Sequence, residues 1–458
     1  MSHTFEQSTE LPASAEAVFA WHARPGALER MVPPWEKVRV LERAGGLESG
    51  RIVLEVPVGP LHRRWVAEHR VGGPGLEFTD RQVEGPFASW VHTHRFEPLG
   101  ADCCRLVDRI VYRLPFGAAG ELAAGIVAGR LARGFRYRHR TLADDLTALA
   151  RYGVRAPLTI AVTGATGLVA RSLLPFLTTA GHRIRRVVRS LPGPEDILWD
   201  PAGGRLDPAA LEGVDAVVHL AGESIAGARW TDRQKRRILE SRSRGTTLLA
   251  ETIGRLRRPP SVLISASAIG VYGDRGDDVL TERSGLRTGP ETFFVEQVGQ
   301  AWEEATEPAE RAGIRVVQAR IGIVLTPAGG ALPAMMPPFR AGLGGRMGSG
   351  RQYMSWIGID DVVGALYHAL VTESLRGPVN LTGPTPVTNA LFTETLGRVL
   401  RRPTLFPVPA AALKLALGRM ADELLLSSAR VDPERLRETG YVFRHEELEA
   451  ALRHVLGR

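Results

Sequence analysis

Cysteine is nearly absent. Cys103 and Cys104 are the only two in 458 residues, and they are adjacent. Neighbouring thiols supply neither a disulfide framework nor the spaced ligand pairs of a structural zinc site, so a reducing compartment, the cytoplasm, is expected. Long apolar runs are lacking too. None approaches the roughly 20 residues of a membrane span, and the start has neither a basic segment nor an apolar core of the secretory kind. Stable membrane insertion is therefore not expected. Blocks of one charge are also missing: the net charge is +8, but the arginines are scattered through every segment. Scatter argues against nucleic acid and suits anionic small ligands. What is present is an ordinary globular composition, 44% hydrophobic and 24% charged, in a length that suits two or three domains.

The stretch 158–170, LTIAVTGATGLVA, organises the rest. An apolar run without helical period leads into Gly164-Ala165-Thr166-Gly167-Leu168-Val169-Ala170 and then an apolar helix carrying Leu173, Leu174, Phe176 and Leu177. That order reads as strand, turn, helix. It opens a dinucleotide-binding unit: Gly164 allows the tight turn, Gly167 lets backbone approach a pyrophosphate, and small Ala170 lets helix and strand pack closely. The helix start offers N–H groups and a positive dipole end to phosphates.

Residues 1–152 carry no such loop. A strand at 5–11 precedes Pro12-Ala13-Ser14, which caps a helix bearing Val18, Phe19 and Trp21. Extended segments follow at 37–42, 51–58, 62–71, 76–83, 89–96 and 105–114, then a long helix over 118–152 with Ile126, Leu131, Phe135, Leu142 and Leu146 as its apolar positions. A curved antiparallel sheet gripping one long helix is the natural assembly. This element order resembles the polyketide cyclase/START-like superfamily, which implies a helix-grip fold around an apolar ligand cavity. Four histidines, His62, His69, His92 and His94, fall here. His92 and His94 share one strand face, a spacing that can ligate a metal. With no third ligand nearby, they read as surface or cavity-lining groups, and no metal is expected. The basic run Arg130, Arg133, Arg136, Arg138 and Arg140 reads as the solvated face of the helix.

After a short polar link at 151–157, the second strand of the nucleotide unit, 183–188, ends at Arg189-Ser190. No acid occurs over 181–193 to bind the ribose 2′-OH of NAD. An arginine there accommodates the 2′-phosphate, so NADP(H) is the expected cofactor. A third strand, 216–220, runs into Leu220, Ala221 and Gly222, where small residues let backbone pass the nucleotide. Arg242, on the following helix, either reaches the phosphates or is ordinary helix surface. Ser265 and Ser267 end the strand 261–268, followed by Val271-Tyr272-Gly273-Asp274, and a hydroxyl at a strand end can bond a carbonyl or carbinol oxygen. Further strands are expected at 316–325 and 379–382. The Gly-rich segment 342–361 has no strand feeding it and reads as a substrate-side loop.

TGATGLVA, ILWDPAGGRLD, DAVVHLAGESI, RWT, ESR, SASAIGVYGDRGDDVLTE, RIGIVLTPAGGAL, GLGGRMGSGRQYMSWIGIDD, GPVNLTGPTPVTN and RPTLFPVPAAALKLALG occur in this order. Together they resemble the atypical extended short-chain dehydrogenase/reductases, the epimerase-family oxidoreductases, from about residue 158 to the end. The resemblance implies NADP contacts at Gly164, Thr166, Gly167, Leu168 and Val169, with Arg189 on the 2′-phosphate side. It further implies Leu220, Ala221 and Arg242 around the nucleotide and Val324 beside the nicotinamide. Ala165, Ser190, Gly222 and Ser265 complete the candidate contacts. Two departures stand out. The family's usual His before the Asp-Asp pair is Gly358 here. The Tyr-x-x-x-Lys pair of short-chain dehydrogenases, whose spacing stacks both groups on one helix face, falls at Val295 and Gly299, counting back from Trp302-Glu303. Neither transfers a proton. Ser267 and Tyr272 remain as candidate catalytic groups, though Tyr272 has no lysine at the matching spacing.

The fold expected is an α/β Rossmann-type doubly wound parallel sheet over 157–388. An α+β helix-grip domain (1–152) precedes it, and a small helical module (389–458) follows. The function expected is an NADP(H)-dependent oxidoreductase acting on a small, apolar substrate, because the front domain suggests a hydrophobic cavity. The alternative is a non-catalytic NADP(H)-binding or redox-sensing protein coupled to a hydrophobic-ligand domain. A sugar-nucleotide epimerase ranks third, since epimerisation especially needs the tyrosine. Oligomeric state is not readable.

Overall fold

The computed structural model describes residues 1–72, 76–153 and 155–458. Residue 154 of the expected link lies outside them. Chain contacts divide the molecule into two compact units: Met1–Arg155 with 178–180 and 457, and the remainder.

The first unit opens with β1 (Ser2–Leu11), α1 (Ala15–Ala23) and α2 (Ala27–Met31). It continues through β2 (Arg39–Ala44), β3 (Arg51–Val58), β4 (Leu61–Val71), β5 (Leu76–Glu84), β6 (Ser89–Gly100) and β7 (Cys103–Arg113). A one-turn α3 (Ala118–Glu121) and the long α4 (Ala124–Ala150) close it. The seven strands form one sheet in the order β1-β7-β6-β5-β4-β3-β2, antiparallel throughout. The helix-grip expectation holds. Side chains alternate along β1 between exposed and half-buried until Leu11 is buried, as a strand with one covered face requires. Ser14 caps α1, its Oγ accepting from Ala17 N–H at 3.2 Å. The covered face packs Trp90, Ile110 and Tyr112 against Phe135 of α4, and Phe78, Phe96 and Leu106 against Val18, Trp21 and Leu142.

The single helix expected over 118–152 is two. The break is a turn at Leu122 and Ala123, between α3 and α4, and Ile126 is 75% exposed rather than in the core. The arginine run is not uniformly solvated either. Arg130, Arg136 and Arg140 are exposed, but the Arg138 guanidinium lies 4.9 Å over the Phe135 ring and burial lowers its pKa.

The second unit begins β8 (Thr159–Thr163), α5 (Leu168–Thr179), β9 (Arg183–Val188), β10 (Ile197–Asp200), β11 (Arg205–Leu206), β12 (Ala216–His219), α6 (Asp232–Gly254) and β13 (Val262–Ala268). A 3₁₀ turn (Ile269–Tyr272), β14 (Val279–Leu280), α7 (Phe294–Glu304) and α8 (Glu307–Arg311) come next. Then follow β15 (Arg315–Ile321), β16 (Ile323–Leu325), α9 (Ala331–Arg340), β17 (Tyr353–Met354), β18 (Trp356–Gly358), α10 (Ile359–Val371) and β19 (Gly377–Leu381). The chain finishes with β20 (Val387–Thr388), α11 (Asn389–Leu400), α12 (Ala410–Leu417), α13 (Arg419–Ala421), a π-helical turn (Asp422–Leu426), β21 (Arg430–Val431), α14 (Glu434–Glu438) and α15 (Leu448–Leu456).

The main sheet runs β11-β10-β9-β8-β12-β13-β15-β19 and is parallel except at β11. This is the doubly wound sheet expected. Its strand order reverses between β8 and β12, and ligands of such sheets bind at the carboxyl ends there. Residues 389–458, expected as a separate module, share a core with the strands: Phe392, Leu396, Leu448 and Leu452 pack with Leu325, Trp356 and Ile359. No described helix is long and apolar enough to cross a membrane.

Candidate functional site

Gly164 follows β8 with φ +66°, a conformation that a side chain disfavours. A Cβ there would sit 2.7 Å from the Leu220 carbonyl oxygen and 2.9 Å from Ala221 N. The turn therefore lies flat against the end of β12, and only glycine fits. Gly167 N–H donates to Gly164 C=O at 2.8 Å, closing the turn before α5 begins at Leu168. Thr166 and Gly167 are exposed, Ala165, Leu168 and Val169 half-buried, and Ala170 is packed inside, as close approach of α5 to β8 demands.

Beneath the turn is a polar clamp that sequence reading missed. The N–H groups of Leu220 and Ala221 both donate to Thr163 Oγ1, at 3.0 and 3.1 Å. That oxygen is also 2.8 Å from His219 Nδ1, and His219 Nε2 is 3.0 Å from Thr246 Oγ1. With two donors already on its lone pairs, Thr163 must give its own proton to Nδ1. His219 is thus the Nε2–H tautomer, donating to Thr246. Burial, then the nearby Arg242 charge, pushes its pKa down to about 4, so the ring stays neutral.

Arg242 is not helix surface. Its guanidinium donates to the carbonyls of Glu223 (2.9 Å) and Ile238 (3.2 Å) and lies 4.7 Å over the Trp302 ring. A Cβ on Gly222 would be 3.2 Å from its Cζ. Burial lowers its pKa only to about 10, so a positive charge persists directly under the backbone of Gly222. At the end of β9, Arg189 and Ser190 are exposed, and among the described residues no carboxylate pairs with Arg189. Asp196, seven residues on, is taken by Arg186 and the Gly193 N–H. Val324, in β16, lies across the turn from α5: Gly330 sits between its carbonyl and the Leu168 side chain.

The catalytic candidates fare differently. Ser265 is buried, with its Oγ turned toward the Ala266 carbonyl at 3.4 Å. Ser267 Oγ donates to Glu303 Oε1 at 2.7 Å, and Glu303 also takes two hydrogen bonds from Arg320. Arg320 continues to Tyr272, donating to its hydroxyl at 2.9 Å, and that hydroxyl donates to Asn380 Oδ1 at 2.8 Å. Tyr272 is fully buried, and burial outweighs the Arg320 charge to raise its pKa. With its hydroxyl bonded to Arg320, Asn380 and the Thr281 carbonyl, it acts as an internal strut in this structure. The lysine's place is closed sterically as well: a Cβ on Gly299 would meet Val271 Cβ at 2.9 Å. One on Gly270 would meet Val295 Cβ at 3.4 Å, an ordinary contact. Gly358 leaves room: a Cβ there would meet only Asp361 Oδ2, at 3.8 Å.

Beside α7 lies a cleft of about 600 Å³, lined by Asp274, Phe293, Gly348, Ser349, Gln352, Ala410, Lys414, Arg419, Asp422, Glu423 and Leu426. Residues 342–361 do contribute to it, but they are also tied down: Gly348 N–H donates to Val408 C=O and Val408 N–H to Arg346 C=O. Glu423 is the group that sequence reading gave no sign of. Its Oε2 accepts from the N–H of Val295, the residue at the tyrosine's place, at 3.1 Å. Its Oε1 is buried without a hydrogen bond. Burial is the main influence on it and raises its pKa.

Comparison with known proteins fits this geometry. Residues 160–381 match the NAD dependent epimerase/dehydratase family, residues 11–140 match polyketide cyclase / dehydrase and lipid transport, and residues 408–455 match a domain of unknown function, DUF1731. An epimerase family protein of Mycobacterium bovis is 44% identical over 300 residues, 65% of this chain and 98% of the relative. This chain belongs to the epimerase family. Within it, the crystal structure of a nucleoside-diphosphate sugar epimerase from Corynebacterium glutamicum is similar over 99% of this chain and 90% of its own, at 34% identity and a TM-score of 0.82. Human SDR39U1, crystallised with NADPH, is 35% identical over 65% of this chain and 99% of its own, with a TM-score of 0.59.

Proposed function

We propose that this chain is an NADP(H)-dependent oxidoreductase acting on a small polar substrate. The observation that carries it is the site at the sheet's switch point. There a glycine-only turn is pressed on the end of β12, a buried Arg242 lies below, and an exposed Arg189 stands at the end of β9. The NADPH held by the human relative supports the same reading. When bound, the cofactor supplies hydride chemistry. Gly164, Ala165, Thr166, Gly167, Leu168 and Val169 would hold the pyrophosphate, Leu220, Ala221 and Gly222 the adenine ribose, Arg189 and Ser190 the 2′-phosphate, with Val324 and Ser265 on the nicotinamide side. Replacing Arg189 by Ala is expected to weaken NADPH about 10- to 100-fold, the worth of a hydrogen bond to a charged group. NADH binding should barely change. Titration by nicotinamide fluorescence checks it, and equal losses for both overturn the assignment.

The charged Lys414, Arg419, Asp274 and Asp422 in the cleft support a polar substrate over the apolar one expected from the front domain. Ser267 has its proton committed to Glu303, so its free lone pair suits a substrate hydroxyl. Glu423, bonded to the Val295 N–H at 3.1 Å, would be the group exchanging a proton in the tyrosine's stead. Once a carbonyl substrate is found by NADPH oxidation, Glu423→Gln should lower kcat about 100-fold or more with KM little changed. An unaltered kcat would remove that role.

The second reading, a non-catalytic NADP(H) sensor, draws on the valine at 295 and the sterically closed Gly299. Tight NADPH binding with no turnover on any polar carbonyl would favour it. Sugar-nucleotide epimerisation, the activity in the Corynebacterium relative's name, is disfavoured by the valine at the tyrosine's place. The two free thiols fit the cytoplasm.

A further inference from the structure

We propose that the first unit holds one divalent first-row transition-metal ion, bound by Asp80, His92 and His94 under the gripping helix. Sequence reading set a metal aside because His92 and His94 had no third ligand nearby. The sheet supplies one: Asp80 on β5 is the register partner of His92 on β6, and one ligand atom from each of the three lies within 4.8 Å of the others.

The separations are those of ligands around an ion. Asp80 Oδ2 is 3.7 Å from His92 Nδ1 and 3.3 Å from His94 Nε2. Two ligands of a tetrahedral ion at about 2.0–2.1 Å stand roughly 3.4 Å apart. The outer atoms are held as metal sites hold them. The remaining nitrogens, His92 Nε2 and His94 Nδ1, both face Asp108 Oδ1, at 2.9 and 2.6 Å. The second oxygen of Asp80 lies 2.8 Å from His69 Nε2, and the second oxygen of Asp108 accepts from His139 at 2.6 Å. A carboxylate on the far nitrogen of each ligating imidazole fixes its orientation and raises its basicity.

Without an ion, His94 Nε2 hydrogen-bonds Asp80 Oδ2 at 3.3 Å, and a bound ion would take the place of that contact. His94 is over nine-tenths buried, yet its Nδ1 has no aligned hydrogen bond, and neither does the buried Oδ1 of Asp80. Three protein ligands of this N,N,O type leave a coordination position for a small oxygen or nitrogen ligand, and they suit zinc, iron(II) or cobalt(II) more than calcium or magnesium. The half-buried Asp80 is the ligand nearest solvent.

The test is a cobalt(II) titration of untagged full-length protein, read by visible d–d absorption. One saturable equivalent is expected. Asp80→Asn and His92→Gln should each lower the affinity at least tenfold, and Asp108→Asn, altering only the outer carboxylate, about 10- to 100-fold. His62→Gln, on the exposed part of β4, should bind as the parent does. On the unaltered protein, removal of metal by chelator should lower the thermal midpoint and cobalt(II) or zinc(II) should restore it. This arm does not depend on any variant folding. No saturable binding to the parent, or equal binding by Asp80→Asn of parental circular dichroism, would overturn the site and leave an internal ion network.

Discussion

The tautomer of His219 ties acid to the nucleotide turn. Its pKa is pushed from 6.5 down to about 4 by burial, so the unfolded chain binds the proton more readily than the folded one. Stability contributed by the neutral ring is complete above pH 6.5 and is lost as pH falls toward 4, by about 3 kcal/mol in all. Protonated Nδ1 can no longer accept from Thr163, so the end of β12 should loosen with it. Urea midpoints from pH 7.5 to 4.5 should fall less steeply for His219→Asn than for the parent. In the other unit, Arg30 donates twice to Asp145, at 2.7 and 2.8 Å, with both side chains almost fully buried. Arg30→Met leaves that carboxylate in the core and should cost about 3–5 kcal/mol by chemical denaturation.

Between α7 and the 3₁₀ turn before it, two glycines face two valines. Adding a methyl at Gly299 drives it into Val271, an overpacking worth about 1–3 kcal/mol that exceeds the gain of about 0.5–1 from removing a helical glycine. Gly299→Ala should therefore lower the urea midpoint. Gly270→Ala, whose new carbon meets Val295 at ordinary contact distance, should cost less. Such contacts show what the residues alone reveal. The turn at Gly164 was legible because its spacing to Gly167 and Ala170 is local and each role follows from the helix it starts. The strands of the first unit were legible from alternation, since 51–58 is observed as Arg51–Val58. The bonding of Tyr272 was not legible because its partner Arg320 arrives on β15, beside Ser267 across the sheet. Asp80 escaped notice because only the register of β5 on β6 sets it opposite His92. Glu423 comes from a turn over a hundred residues downstream of the backbone it caps.

At the scale of the whole chain, each unit has hydrophobic clusters of its own. Calorimetry should accordingly resolve two transitions. NADPH at about a hundred times its dissociation constant should stabilise only the second unit, by about 2.7 kcal/mol. A transition metal should raise only the first. If NADPH raised both transitions equally, the units would unfold as one, and the separate assignment of nucleotide and metal would lose its simplest readout.

The facing glycines and valines also bear on how this chain can change. A lysine at 299 cannot enter while Val271 is in place. Neither that lysine nor a tyrosine at 295 helps without the other, because the phenol needs the ammonium to ionise. Recovery of the missing pair thus demands concerted changes on both sides of the contact. No single substitution leads back, and an experiment that seeks a conventional dehydrogenase here should begin from a library varied at 271, 295 and 299 together.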